Sequence, residues 1–372
     1  MSEPADGSVH ELAARRAEQL VRAPVRALSA YHVAPAAGLI KLDAMENPYG
    51  WPQDMLGEWL ERLRGVAMNR YPDPAAPALK QRLREVLAVP PGCDLLLGNG
   101  SDEIIQLLVL CLAGPGRAVL APDPTFVMYR LLTTALGGEY VAVALDANDF
   151  SLRRDAMLEA LARHRPALTF IAYPNNPTGN LFARADIEAV IEAAPGLVVL
   201  DEAYEPFARR SFLERLDDYP NLVVMRTLSK LGLAGLRLGL LVGSPAWVAQ
   251  LDKLRLPYNI NSLTQATVAF ALSRYEVFAQ QAATIREDRG SLMQALSRFP
   301  ALELWPSEAN FLLCRVRRGD ARAVAEGLRA RGVLIRVLDG SAPALAGCLR
   351  ISVGTPQENE ALLAGLEQVL EP

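Results

Sequence analysis

From about residue 90 onward, short apolar runs alternate with longer amphipathic ones, and this alternation is the strongest constraint on the fold. The apolar runs are 94-DLLLG, 117-RAVLAP, 139-EYVAVAL, 167-ALTFIAYP, 197-LVVLDEAY, 222-LVVMRTL and 238-LGLLVG. Between them lie helical patterns such as 102-DEIIQLLVLCLAG, 153-RRDAMLEALARH and 184-RADIEAVIEAA. Strands apolar on both faces need cover on both faces, and intervening amphipathic helices supply it. The pattern therefore predicts an α/β fold, with a large domain built on a mostly parallel sheet flanked by helices. Beyond residue 260 the spacing changes. Two long helical segments fill 262–298, followed by 309-ANFLLCRV, the helix 320-DARAVAEGLRARG, 333-VLIRVL, 348-CLRISVG and a last helix from Pro356. The expected division is an N-terminal arm or helix over 1–45, a large domain over 46–260 and a smaller C-terminal α/β domain over 261–372.

The chain's 372 residues exceed what one core holds, which agrees with that division. A net charge of -4 with no basic stripe argues against a nucleic-acid surface. The start, MSEPADGSVHE, lacks a secretory layout, and 104-IIQLLVLCLAG is too short to span a bilayer, so no membrane role and a cytoplasmic location are expected. Cys93, Cys111, Cys314 and Cys348 form no CxxC pair, and His10, His32 and His164 are scattered. Neither set has zinc-ligand or catalytic-triad spacing, so no metal is expected. No GxxxxGK[ST] occurs, which excludes a P-loop.

In an open α/β sheet, ligands sit beyond the carboxyl ends of the strands. The residues that follow the apolar runs are 98-GNGSDE, 123-DPTF, 173-YPNNPTG, 201-DEAY and 227-TLSK. GNGSDE opens a helix, where free N–H groups favour an anion such as phosphate. A tight turn capped by Ser101 is its structural alternative, and it lacks the third glycine of a dinucleotide fingerprint. Lys230 ends a buried-looking strand. Burial lowers an amine's pKa and makes it a nucleophile toward carbonyls, although an exposed strand-end lysine fits the same pattern. Asp201 closes an apolar run, where a carboxylate needs a cation or donors. Arg237, taken alone, reads equally as a salt-bridge residue.

Together, 173-YPNNPTGN, 201-DEAYEPF and 227-TLSKLGLAGLRLG resemble the fold type I pyridoxal-phosphate aminotransferases, most closely the histidinol-phosphate aminotransferase family. The resemblance runs from 42-LDAMENPYG and 70-RYPDP through GNGSDE and APDPTF to 349-LRISVGT. It implies pyridoxal 5'-phosphate as cofactor and Lys230 as the Schiff-base lysine, which then moves the proton between Cα and C4′. It implies that Asp201 pairs with the pyridine N–H, that Tyr204 and Asn176 donate to the phenolate oxygen, and that Phe126 stacks on the ring. Phosphate contacts fall to Ser229, Arg237 and the helix start at Ser101, Asp102 and Glu103. Tyr71 is implied to reach the phosphate of the other subunit, making the active unit a homodimer.

By the same resemblance Arg350 receives the substrate's anionic group, Arg336 lies near a substrate phosphate, and Tyr31 and Asn47 contact the substrate. The segment Asp43-Ala44-Met45 departs from the Asn-rich form often seen before ENP. The implied reaction is ping-pong transamination between L-histidinol phosphate and 2-oxoglutarate, in histidine biosynthesis. An aromatic amino acid aminotransferase, or a decarboxylase acting on a phosphorylated amino acid, would share every cofactor motif. A silent cofactor-binding regulator is disfavoured by the intact Lys230.

Overall fold

A computed structural model describes residues 8–30 and 34–370. Among these described residues, twelve strands fall in two sheets. In chain order they are β1 (Ile40–Leu42), β2 (Asp94–Asn99), β3 (Ala118–Asp123), β4 (Glu139–Ala144), β5 (Leu168–Ala172), β6 (Leu197–Asp201), β7 (Leu222–Thr227), β8 (Leu238–Gly243), β9 (Leu302–Leu304), β10 (Phe311–Val316), β11 (Val333–Val337) and β12 (Cys348–Ser352). The larger sheet has the order β2-β8-β7-β6-β5-β3-β4, and only β8 runs against its neighbours. All seven apolar runs between residues 90 and 243 are strands of this sheet.

β5 and β6 are buried at every residue, as strands with helices on both faces must be. Their side chains alternate between two cores. Ile171, Val198 and Leu200 join one face with Leu120, Leu222 and Val224. Phe170, Leu197 and Val199 join the other with Val119, Val223 and Met225. Each fully buried side chain of this size stabilises the fold by about 1.5–3 kcal/mol relative to leaving it exposed. A one-residue slip would exchange the two sets, so the two-residue period locks the register.

The smaller sheet has the order β1-β11-β12-β10-β9. Its core gathers Phe311, Leu312, Ile335, Leu349 and Ile351 with Leu328, Leu362 and Leu366 from the last two helices. β1, from the N-terminal arm, is the edge strand and pairs parallel with β11. The arm thereby carries Asp43, Ala44 and Met45 to the interface between the sheets. Helix Ser262–Leu272, predicted with the C-terminal part, contributes Val268, Phe270, Ala271 and Leu272 to the large-sheet core. The first helix, Val9–Leu20, ends before Pro24. That proline stands in the first turn of a second short helix, Ala23–Arg26, where its missing N–H costs nothing. Helix Val9–Leu20 buries none of its residues.

Candidate active site

The carboxyl ends of β5, β6 and β7, the start of the helix after β2 and the loop after β3 meet in one crevice. Its lining includes Ser101, Asp102, Phe126, Asn176, Asp201, Tyr204, Ser229, Lys230 and Arg237, around a cavity of about 110 Å³. Five strand ends that the sequence scatters between Gly98 and Lys230 thus converge as the parallel-sheet geometry requires.

At one end of the crevice, helix Ser101–Leu112 begins without a side-chain cap. Gly100, not Ser101, occupies the cap position. Its φ of 84° suits glycine, and a Cβ there would lie 2.5 Å from Nη2 of Arg237. The bare helix N-terminus and the guanidinium can therefore approach one anion together. Arg237 Nη2 stands 3.5 Å from an oxygen of Asp102, and the Ser229 hydroxyl accepts from Thr227 Oγ1 at 3.0 Å. Glu103 is turned away: its carboxylate accepts from the Asn99 N–H and from Asn259 at 2.8 Å. It lines the crevice with no side-chain atom and ties the loop, so its only contribution to an anion site is through the backbone.

Asp201, 5% exposed, lies at the floor of the crevice. Burial pushes its carboxyl from 3.8 up to about 6, against two hydrogen bonds that favour the charge. Those bonds come from the Tyr129 hydroxyl at 2.6 Å and the Ala203 N–H at 3.1 Å. Among the described residues no cation is bonded to it, so a protonated ring nitrogen placed against it would relieve the charge. Lys230 Nζ donates to the Ala44 carbonyl at 3.1 Å and lies 5.8 Å from the Tyr204 ring centroid. Burial, reinforced by the neighbouring Arg350 charge, draws its amine from 10.5 down to about 8. An amine with that pKa has a sizeable neutral fraction near neutral pH.

Arg350, on β12, donates to Oδ1 of Asn176 at 2.6 Å and to the Asp43 carbonyl at 3.1 Å, with its guanidinium over Phe311. This fixes the Asn176 carboxamide so that its N–H2 is the donor end. Arg336 sits directly opposite Arg350 in the β11–β12 register. Both line a second cavity of about 370 Å³, which shares Met45, Phe126 and Asn176 with the first. The two spaces are neighbouring chambers of one site.

Sequence reasoning missed three residues here. Tyr129 is the donor to Asp201. Met45 lines both chambers, and its Sδ accepts from the Tyr204 hydroxyl at 3.4 Å. Arg130, bonded to Asp123 at 3.2 Å, borders the second chamber. Met45 was legible only as a departure from a pattern. Asn47, implied to contact the substrate, donates its amide to the Leu231 carbonyl at 3.0 Å and to Gln281 at 2.9 Å. It lines neither chamber and holds the turn after Lys230. There Gly232 has a φ of 122°, and a Cβ would come 2.8 Å from the Asn47 amide. Tyr71 is 80% exposed and stacks on Tyr258 at 4.4 Å, away from this crevice of its own chain. Tyr31 lies outside the described residues. Among the described residues no cluster of His, Cys, Asp and Glu could hold a metal ion, and no helix is long and apolar enough to cross a membrane.

This fold, with its lysine, aspartate and anion cradle at the strand ends, is that of the fold type I transferases that use pyridoxal phosphate. The chain belongs to the aminotransferase class I and II family, whose model matches residues 37–366. Its similarity is to histidinol-phosphate aminotransferases in particular. Histidinol-phosphate aminotransferase 2 of Nitrosococcus oceani is 54% identical over 95% of this chain and 98% of that protein. The Chromobacterium violaceum histidinol-phosphate aminotransferase is 50% identical over 94% of this chain and 98% of its own length. The solved histidinol-phosphate aminotransferase of Sinorhizobium meliloti, in complex with pyridoxal-5'-phosphate, superposes with a TM-score of 0.83 at 27% identity. The match covers 94% of this chain and 96% of that one.

Proposed function

We propose that this protein transfers the amino group of L-histidinol phosphate to 2-oxoglutarate. The observation that carries the reading is the pair Arg336 and Arg350, facing each other across β11 and β12 beside the crevice that holds Lys230. Two cations suit acids that take turns in one chamber, one bearing a phosphate and the other a second carboxylate. The identity of 50–54% to the relatives just named supports the same substrate.

The donor set fits pyridoxal 5'-phosphate end to end. The helix start at Ser101 and Asp102, with Ser229 and Arg237, would hold the phosphate. Asp201 would pair with the ring N–H, Asn176 and Tyr204 would donate to the phenolate oxygen, and Phe126 would cover the ring. When bound, the cofactor supplies an electron sink for the charge that develops at the substrate Cα. Lys230 is its covalent anchor through Nζ. The same amine would take and return the proton at the substrate Cα, and its lowered pKa suits both roles. Arg350 orients the substrate carboxylate or its equivalent, and through Asn176 it links substrate to cofactor.

The active unit in this reading is a homodimer. Tyr71, exposed and stacked on Tyr258 in its own chain, would reach the partner's phosphate. In the same reading the chain divides into an arm over 1–45, a large domain over 46–260 and a small one over 261–372, and residues from both sheets line the two chambers.

The test is a donor screen with 2-oxoglutarate as acceptor, comparing histidinol phosphate, phenylalanine, tyrosine and phosphothreonine. Histidinol phosphate is expected to give the highest kcat/KM. A preference for phenylalanine would overturn the substrate, and carbon dioxide release from phosphothreonine would overturn the reaction class.

A further inference from the structure

Tyr129 lies one turn into helix Val127–Ala135 and is fully buried. Its ring stacks on Phe170 with centroids 4.4 Å apart and planes at 1°, and it meets Phe126 edge-on at 5.6 Å. Its hydroxyl ends on Oδ2 of Asp201 at 2.6 Å, and its carbonyl accepts from Thr133. One rigid side chain therefore touches both the proposed ring-stacking residue and the proposed partner of the ring nitrogen. We infer that Tyr129 is a positioning residue, which fixes the Asp201 carboxylate and keeps it ionised so that it binds the protonated cofactor ring. The inference rests on the pyridoxal phosphate reading of Asp201.

The physical case is one of balance. Desolvation opposes the Asp201 charge, and the nearby acids Asp102 and Glu202 oppose it further. Glu202 is occupied by Arg226, bonded at 2.8 Å, and by the Phe212 N–H, so that arginine's charge is directed elsewhere. What favours the Asp201 anion is the Tyr129 hydroxyl and the Ala203 N–H. The phenol cannot relay the proton onward, because burial and the facing carboxylate hold its own pKa well above the ordinary value. It is a fixed donor. A hydrogen bond to a buried charge contributes enough that its loss should weaken binding of the partner cation roughly 10- to 100-fold.

The experiment titrates pyridoxal 5'-phosphate into the cofactor-free full chain, followed by absorbance between pH 5.5 and 8.5. The set comprises wild type, Tyr129→Phe, Asp201→Asn and the double variant. Phenylalanine keeps the stack on Phe170 and removes only the hydroxyl. Tyr129→Phe should weaken binding at pH 7 by about tenfold or more. It should also move the pH at which affinity falls upward by about one unit, as Asp201 loses its proton less readily. The double variant should bind no more weakly than Asp201→Asn alone, because Tyr129 acts through that carboxylate. An unchanged pH profile for Tyr129→Phe, with Asp201→Asn impaired, would overturn the inference and leave the cofactor reading standing. Normal binding by Asp201→Asn would overturn both. Equal unfolding of Tyr129→Phe on either background would assign the tyrosine to packing and overturn the inference too.

Discussion

Replacing Asp201 by asparagine should stabilise the cofactor-free protein relative to wild type as pH rises. The carboxyl is 5% exposed, and its folded pKa is raised from 3.8 to about 6. Because the folded state holds this proton more tightly than the unfolded chain, the stability that Asp201 contributes is fully present below about pH 4. It is lost as pH climbs through the window between 4 and 6. Two units correspond to roughly 3 kcal/mol in all. About one of those units lies above pH 5, so roughly 1.4 kcal/mol should go between pH 5 and pH 8.

Asparagine carries no charge and should not show that loss. It exchanges one acceptor for an N–H2 facing Tyr129 or Ala203, a cost of about 1 kcal/mol that does not vary with pH. Equilibrium urea unfolding of both proteins, at fixed protomer concentration, reads the difference directly. Between pH 5 and 8 it should shift by roughly 1.4 kcal/mol in favour of asparagine. Saturating pyridoxal phosphate should reverse the order, since the cofactor then supplies the missing cation to wild type alone. A difference that stays flat with pH, or moves the other way, would refute the claim that Asp201 is a buried charge awaiting a partner.

Two other substitutions probe the crevice from its ends. Lys230→Ala should abolish transamination, and borohydride should no longer fix the cofactor to the chain by mass; near-normal turnover would remove Lys230 from the mechanism. Gly100→Ala places a Cβ 2.5 Å from Nη2 of Arg237 at a φ of 84°. Backbone strain of order 1–3 kcal/mol should lower the unfolding midpoint. The displaced guanidinium should weaken cofactor retention measured by dialysis, and full retention would show that the Gly100–Arg237 approach is not part of the phosphate site.

Much of this site was legible along the chain because each piece is local. A strand end, a helix start and the residue between them fall within ten positions, so GNGSDE, YPNNPTG, DEAY and TLSK each announced a polar group at a predictable edge. The seven strands followed for the same reason, since an apolar run with helical patterns on either side has few other uses. Three-residue strands such as β1 and β9 gave no periodicity to read. Tyr129 was invisible because nothing in 127-VMYRLLTTA separates a core aromatic from one whose hydroxyl meets a carboxylate 72 residues away. Asn47 sat beside a family motif, yet its amide is committed to the turn after Lys230.

The sequence by itself determined the α/β class, the two-residue and helical periods, and which side chains stand at strand ends, because those depend on neighbours a few residues apart. Only the tertiary structure decided that Arg336 and Arg350 stand opposite each other. That fact comes from antiparallel register between strands joined through a loop. Likewise, only packing placed Ala44 against Lys230 and Met45 against Tyr204, across separations of 186 and 159 residues. Burial, and with it the pKa of the lysine and the aspartate, is a property of everything that surrounds a group. No stretch of chain encodes that alone.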